Sequence, residues 1–197
     1  MKFRQVWTAL RALLIFTIVL GVAYPLAITG LGQLALPAQS NGQLVTVNGS
    51  VVGSAVIGQS FTDSDGKALP QWFQSRPSAA GSGYAGGASN GSNYGPENPD
   101  LIAAIQARQA AIESSDSISL DRIPADAVTA SASGLDPHIS PAYALLQVPR
   151  VAAARSLDAA TVRELVTSMI QGRDLGYLGE PTVNVLQLNI ALTKLGK

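Results

Sequence analysis

From Ala12 through Leu34 the sequence runs ALLIFTIVLGVAYPLAITGLGQL without one charged side chain. A helix rising about 1.5 Å per residue needs roughly 20 such residues to cross about 30 Å of hydrocarbon, and its backbone groups are then satisfied inside the segment. The run predicts one membrane-spanning helix over residues 12–34. Lys2, Arg4 and Arg11 precede it, and the next basic residue is Lys67. That bias places residues 1–11 in the cytoplasm and residues 35–197 on the opposite side. Pro25 cannot donate to the carbonyl four residues back, so a kink, or a packing notch for neighbouring helices shared with Gly21, is expected there. A cleaved signal peptide competes for the segment, with small residues at Ala35 and Ala38 where a peptidase could cut. Its apolar region would span only about 7 to 15 residues, which favours a retained anchor.

The remainder is long enough for one domain with a sizeable core. Its fold class reads as α+β: a single small mixed domain with a short-stranded sheet and several helices. Leu44–Val47 and Ser50–Gly58 are valine-rich and separated by Asn48-Gly49, a hairpin signal. Gln71–Gln74 is a further short apolar stretch that could pair beside them. Residues 77–99 are dense in Gly, Ser, Asn and Pro and predict a long irregular loop, either a mobile surface loop or a backbone-rich docking surface. A helix is expected from Asp100 to about Ser114, and a short helix or turn around Pro124 and Asp126. Two short helices are expected after Pro141 and from Pro149, an amphipathic helix from Ala159 to Gln171, and a last one from Val183 to Leu195 with Val185, Leu188, Leu192 and Leu195 inside.

Thirteen basic residues balance thirteen acidic ones, so no net field draws the chain to nucleic acid. With no cysteine and one histidine, His138, a nitrogen and sulfur metal-ligand set cannot be completed. Gly81-Ser-Gly83-Tyr-Ala-Gly86 matches the dinucleotide-binding pattern literally but lacks the flanking strand and helix that give it meaning. Asp136, His138 and Ser140 supply the side-chain types of a hydrolase triad, which makes a membrane-anchored exported hydrolase using His138 the alternative function. Their crowding between Pro137 and Pro141 instead predicts a turn in which Asp136 and Ser140 cap backbone groups. No catalytic residue and no metal ligand is assigned.

Several phrases together resemble a known family. They include Tyr24-Pro25-Leu26, Ile57-Gly58-Gln59-Ser60-Phe61, Trp72-Phe73-Gln74-Ser75-Arg76-Pro77-Ser78-Ala79, and Asn90-Gly91-Ser92-Asn93. Further along come Val128 to Asp136, Gln147-Val148-Pro149-Arg150-Val151-Ala152, Gly179-Glu180-Pro181 and Val183-Asn184-Val185-Leu186. They are similar to the C subunit of Kdp-type potassium-transporting P-type ATPases. The resemblance implies a noncatalytic accessory subunit, single-pass in a bacterial inner membrane with a periplasmic C-terminal domain. It also implies a channel-like pore subunit, KdpA, and a P-type pump subunit, KdpB, as partners. Such subunits are described as catalytic chaperones that raise the pump's affinity for ATP; no cofactor is expected of the chain itself, and ATP enters through the complex. By the same resemblance Gln147 is the nucleotide-contact candidate, and Tyr24, Pro25, Arg76, Asn93 and Arg150 are partner-contact candidates.

Overall fold

The computed structural model describes residues 2–195. The outermost residues of the expected end segments, Met1, Gly196 and Lys197, lie outside that range. The chain divides into two compact units, residues 1–52 and 53–197.

The first unit is dominated by the apolar helix, which is longer than its charge-free run. α1 (Lys2–Ile18), a π-helical turn (Val19–Ala23) and α2 (Tyr24–Ala35) follow one another without a break. Residues 2–11, expected as a separate segment, continue the same helix. The segment Phe3–Ala35 is apolar and long enough to cross a membrane, and its large side chains, Leu13, Phe16, Leu20, Leu26 and Leu31 among them, all point outward. At 33 residues it exceeds the roughly 20 needed, which leaves room for tilt. The expected disturbance at Pro25 takes the form of the π turn just before it. With no N–H at Pro25, the carbonyl of Gly21 loses its usual donor, and widening the preceding turn redistributes the ladder. α3 (Pro37–Ser40) follows the apolar helix. The hairpin of β1 (Leu44–Val47) and β2 (Ser50–Ser54) turns at the expected pair, with Asn48 at φ 51° and Gly49 at φ 82°, the doubly positive pair that a two-residue turn of this hand requires; β2 ends four residues before the expected Gly58, where Ile57 N–H turns back onto Ser54 O.

In the second unit the helices surround a core of Phe73, Val148, Val151, Val162, Val166, Val185, Leu188 and Leu192. α4 (Pro99–Asp116) is capped by Asn98, whose side chain accepts from Asp100 N–H, and runs two residues past the expected end at Ser114. A 3₁₀ turn (Leu120–Arg122) precedes α5 (Ala125–Val128), the short helix expected around Pro124 and Asp126. β3 (His138–Ile139) pairs antiparallel with β4 (Val183–Asn184), His138 opposite Asn184. α6 (Pro141–Arg155) packs on α4 and on α7 (Ala159–Ser168), and α7 on α8 (Val185–Leu195).

Four expectations fail for identifiable reasons. Pro149 does not start a helix but lies inside α6; it is on the exposed side, where its ring displaces no core side chain and the rest of the helix continues past it. α7 ends at Ser168 rather than Gln171, because Gln171 exchanges both backbone hydrogen bonds with Thr182. Val183 and Asn184 are taken by the sheet, so α8 starts at Val185, and Leu195 at its end is exposed. Gln71–Gln74 joins no strand, for a reason given below.

The loop over residues 77–99 is irregular as expected, yet it is fastened. Asn90 N–H donates to Ser133 O, Ser78 Oγ to Gly134 O, and Ala80 is fully buried. Gly134 sits at φ 66°, and a Cβ there would meet Asn90 O at 2.5 Å and Ala80 N at 2.7 Å, so only glycine lets the two segments approach so closely.

Candidate functional site

The segment Pro70–Arg76 joins no strand: it begins in a turn, with Trp72 N–H on Leu69 O, and continues from Phe73 as irregular chain. Its backbone carbonyls are instead met by side chains, mostly from α6 and α8. Arg150 Nη1 donates to Pro70 O at 2.7 Å and Trp72 O at 3.0 Å, and Arg155 Nε to Gln71 O at 2.7 Å. Asn189 Nδ2 donates to Phe73 O at 3.0 Å while its Oδ1 accepts from Phe73 N–H, also at 3.0 Å. Gln147 repeats the exchange one residue on, accepting from Gln74 N–H at 2.6 Å and donating to Gln74 O at 3.2 Å. Two carboxamides on different helices therefore do the work of two neighbouring strands. Phe73 is fully buried beneath them, and an apolar neighbour in place of either amide would leave backbone groups unsatisfied.

Gln147, the nucleotide-contact candidate, is completely buried, and its carboxamide is committed to Gln74 and, through Oε1, to Arg150 Nη2 at 2.7 Å. Arg150 also pairs through Nε with Asp116 Oδ1 at 2.8 Å, with both side chains nearly buried. It thereby ties the end of α4, the Pro70–Trp72 turn and α6 together. Arg155 stacks its guanidinium 4.2 Å from the Trp72 ring centre, a cation–π contact that fixes the segment's outer edge.

Arg76 follows the clamped stretch. Its Nη1 lies 3.3 Å from Asp136 Oδ2, its Nη2 reaches the carbonyls of Thr129 and Ala130 at 3.4 and 3.5 Å, and its Nε is buried without a partner. Burial alone would raise the Asp136 carboxyl. Hydrogen bonds from the His138 side chain and backbone, with the charge of Arg76, outweigh it and hold the group below the usual carboxylate range. Tyr84 donates to Arg76 O at 2.8 Å, and burial pushes its hydroxyl up to about 12.

The triad-like residues do not assemble. His138 Nδ1 approaches Asp136 Oδ1 at 3.4 Å, but Ser140 Oγ donates to Asp126 Oδ1 at 2.9 Å and accepts from Tyr143 N–H at 3.0 Å, as the cap of α6. The turn-and-cap reading describes both Asp136, which accepts from His138 N–H, and Ser140. Gly81–Gly86 forms turns with neither strand nor helix beside it. Among the described residues no group of three His, Asp or Glu side chains is placed to hold a metal ion.

A cleft of about 870 Å³ opens beside the clamp, walled by Phe61, Lys67, Arg76, Arg108, Ile112, Asp116, Tyr143 and Arg150 among others. Arg76 and Arg150 thus face a cavity although each is engaged inside the domain. Asn93 is exposed on its loop at φ 53°. In the other unit Tyr24 and Pro25 are exposed on the apolar helix.

One feature has no counterpart in the sequence-based reading. Gln171 and Thr182 pair, Arg173 and Glu180 form a 2.6 Å ion pair, and Asp174 bridges Leu178, making a narrow finger. At its tip Leu175 is 81 % and Tyr177 68 % exposed. The signal was Leu-Gly-Tyr-Leu-Gly between a helix end and Pro181: large apolar residues in a segment too short and glycine-rich to bury them.

A profile of the family described as "KdpC: K+-transporting ATPase, c chain" matches residues 6–194. The chain belongs to the KdpC family. It is 52 % identical to the potassium-transporting ATPase KdpC subunit of Kineococcus radiotolerans over 96 % of its own length and 93 % of that protein. It is 50 % identical to that of Methylococcus capsulatus, covering 95 % and 96 %. With the Mycobacterium tuberculosis H37Rv subunit it shares 48 % identity over 98 % and 99 %. The two most specific phrases of the KdpC resemblance, around Arg76 and Gln147, are the two sides of the side-chain clamp.

Proposed function

We propose that the protein is a noncatalytic accessory subunit of a high-affinity, ATP-driven potassium importer, assembling or stabilising the complex. The family match over residues 6–194 carries this reading. In the proposed arrangement the apolar helix anchors the chain in a bacterial inner membrane. Lys2, Arg4 and Arg11 keep its N-terminus cytoplasmic, and the mixed domain, residues 35–197, stands in the periplasm. The partners are the pore-forming subunit KdpA and the P-type pump subunit KdpB. Tyr24 and Pro25 are helix contacts, and the exposed Asn93 loop and the 171–182 finger are domain contacts.

Any effect on the pump's ATP affinity is indirect in this reading. A domain outside the cytoplasm does not meet cytoplasmic ATP, and the Gln147 carboxamide is buried and already bonded. Gln147 is then a residue that holds the domain in the shape its partners recognise. Copurification tests the proposal: tagged full-length chain should bring down a channel-like subunit and a P-type ATPase, and should hydrolyse no ATP alone. A solitary, stably active chain would overturn it. ATP titration of the full-length chain should show no binding; saturable binding abolished by Gln147→Ala with folding retained would restore direct nucleotide contact.

A further inference from the structure

We infer that the cleft beside the clamp receives a carboxylate-bearing segment of another subunit, an inference that rests on the subunit reading above. The cleft wall carries Lys67, Arg76, Arg108 and Arg150 against Asp116 alone. Asp116 is spent on Arg150. Arg76 has Asp136 at the long distance of 3.3 Å, and its buried Nε has no acceptor, so its own domain meets its donors incompletely. Lys67 and Arg108 form no ion pair among the described residues. Arg108 has one internal partner, the neutral carbonyl of Val128 at 2.8 Å. Asp63 and Asp65 precede Lys67 but neither forms an ion pair with it; Asp63 Oδ1 accepts from the backbone N–H groups of Asp65 and Lys67 in a local turn. Two positive charges outside any ion pair among the described residues therefore line one concavity, in a chain whose total charge is balanced.

Phe61, Ala111 and Ile112 supply apolar wall between these cations. A free inorganic anion would leave that wall wet. An extended segment carrying Asp or Glu beside apolar side chains would cover it while its carboxylate met Lys67 and Arg108. Guanidinium groups suit such planar, two-oxygen acceptors, and an unpaired cation at an interface speeds and orients docking to a negative partner.

Carbodiimide cross-linking of the intact purified complex tests this, because the reagent joins an amine directly to a carboxylate in contact with it. Lys67 is the one lysine between Lys2 and Lys194, so its cross-linked peptide is unambiguous by mass spectrometry. The expected product joins Lys67 to an Asp or Glu of another subunit and falls about tenfold in Arg108→Gln, which removes the second cation. Lys67→Glu, at an exposed position whose folding contacts are not disturbed, should lower retention of the chain in the complex by about tenfold under the same wash. If the complex copurifies normally but Lys67 links only to Asp63 or Asp65 of its own chain, or to nothing, or if Lys67→Glu is retained like the native chain, the inference is overturned. Failure of the native chain to copurify at all overturns the subunit reading itself, and this inference with it.

Discussion

Replacing Asn189 with Ala should be among the most damaging single changes in the mixed domain, although it removes no ionisable group and little volume. The Asn189 carboxamide both donates to and accepts from the backbone of Phe73, at 3.0 Å in each direction, and the two residues are 2 % and 0 % exposed. Truncation leaves one N–H and one C=O orphaned where solvent does not reach. At about 1–3 kcal/mol for each unmet group, the loss is about 2–6 kcal/mol. A domain of this kind has only about 5–15 kcal/mol in total, so the variant should lie close to the edge of folding.

Urea unfolding of the full-length chain in detergent, followed through Trp72 beside the affected residue, measures it; a Trp7→Phe background removes the only other indole. Asn189→Asp sharpens the test. A carboxylate there can accept from Phe73 N–H but faces the Phe73 carbonyl with like polarity, while the protonated acid can donate to that carbonyl. Burial and the carbonyl should raise this carboxyl's pKa in the folded state. Its contribution is then full below the ordinary carboxylate range, about pH 4, and is lost as pH rises through the folded value. Asn189→Asp should therefore gain stability relative to the native chain as pH falls from about 7 to about 5. A loss below about 1 kcal/mol for Asn189→Ala, or an Asn189→Asp variant that does not recover on acidification, would refute the side-chain clamp as a source of stability.

Gly134→Ala should cost more than about 3 kcal/mol, since it combines φ 66° with a Cβ 2.5 Å from Asn90 O; Gly87→Ala, which meets nothing within 4 Å, should stay within about 0.5 kcal/mol in the same titration. Asp116→Asn strands the Arg150 charge in a nearly buried site and should cost about 3–5 kcal/mol, again read by urea. The lowered Asp136 carboxyl contributes stability that is present above about pH 4 and lost as pH falls through its folded value. Asp136→Asn should therefore flatten the acid limb of the stability–pH curve. At the alkaline end Tyr84, raised from 10.0 to about 12, contributes stability that is full below about pH 10 and lost as pH rises through about 12, so Tyr84→Phe should flatten that limb.

Much of the local architecture could be read in advance. The apolar helix, the Asn48-Gly49 hairpin turn, the start of α4 within one residue of Asp100 and the capping role of Ser140 all depend on residues within one or two turns of each other. The errors have a common origin. Pro149 looked like a helix start because its missing N–H is harmless there; whether it is also harmless mid-helix depends on which side of α6 faces solvent. Gln71–Gln74 looked like a strand because its composition is extended, and composition does not say what its backbone bonds to. Its partners stand 73 to 116 positions away in the chain.

The same division separates what each level decided about function. The long apolar helix follows from the sequence alone, because a helix of spanning length satisfies its own backbone and needs only length and hydropathy. The family could also be read there, from phrases dispersed along the chain. The tertiary structure alone decided what those phrases do. It placed Gln147, the nucleotide-contact candidate, as a buried amide spent on Gln74, and gave Arg150 to Asp116 and two backbone carbonyls. It also left Lys67 and Arg108 lining one cleft outside any ion pair among the described residues. Whether a polar side chain is available to a partner depends on who already holds it, and in this domain the holders come from helices distant in sequence.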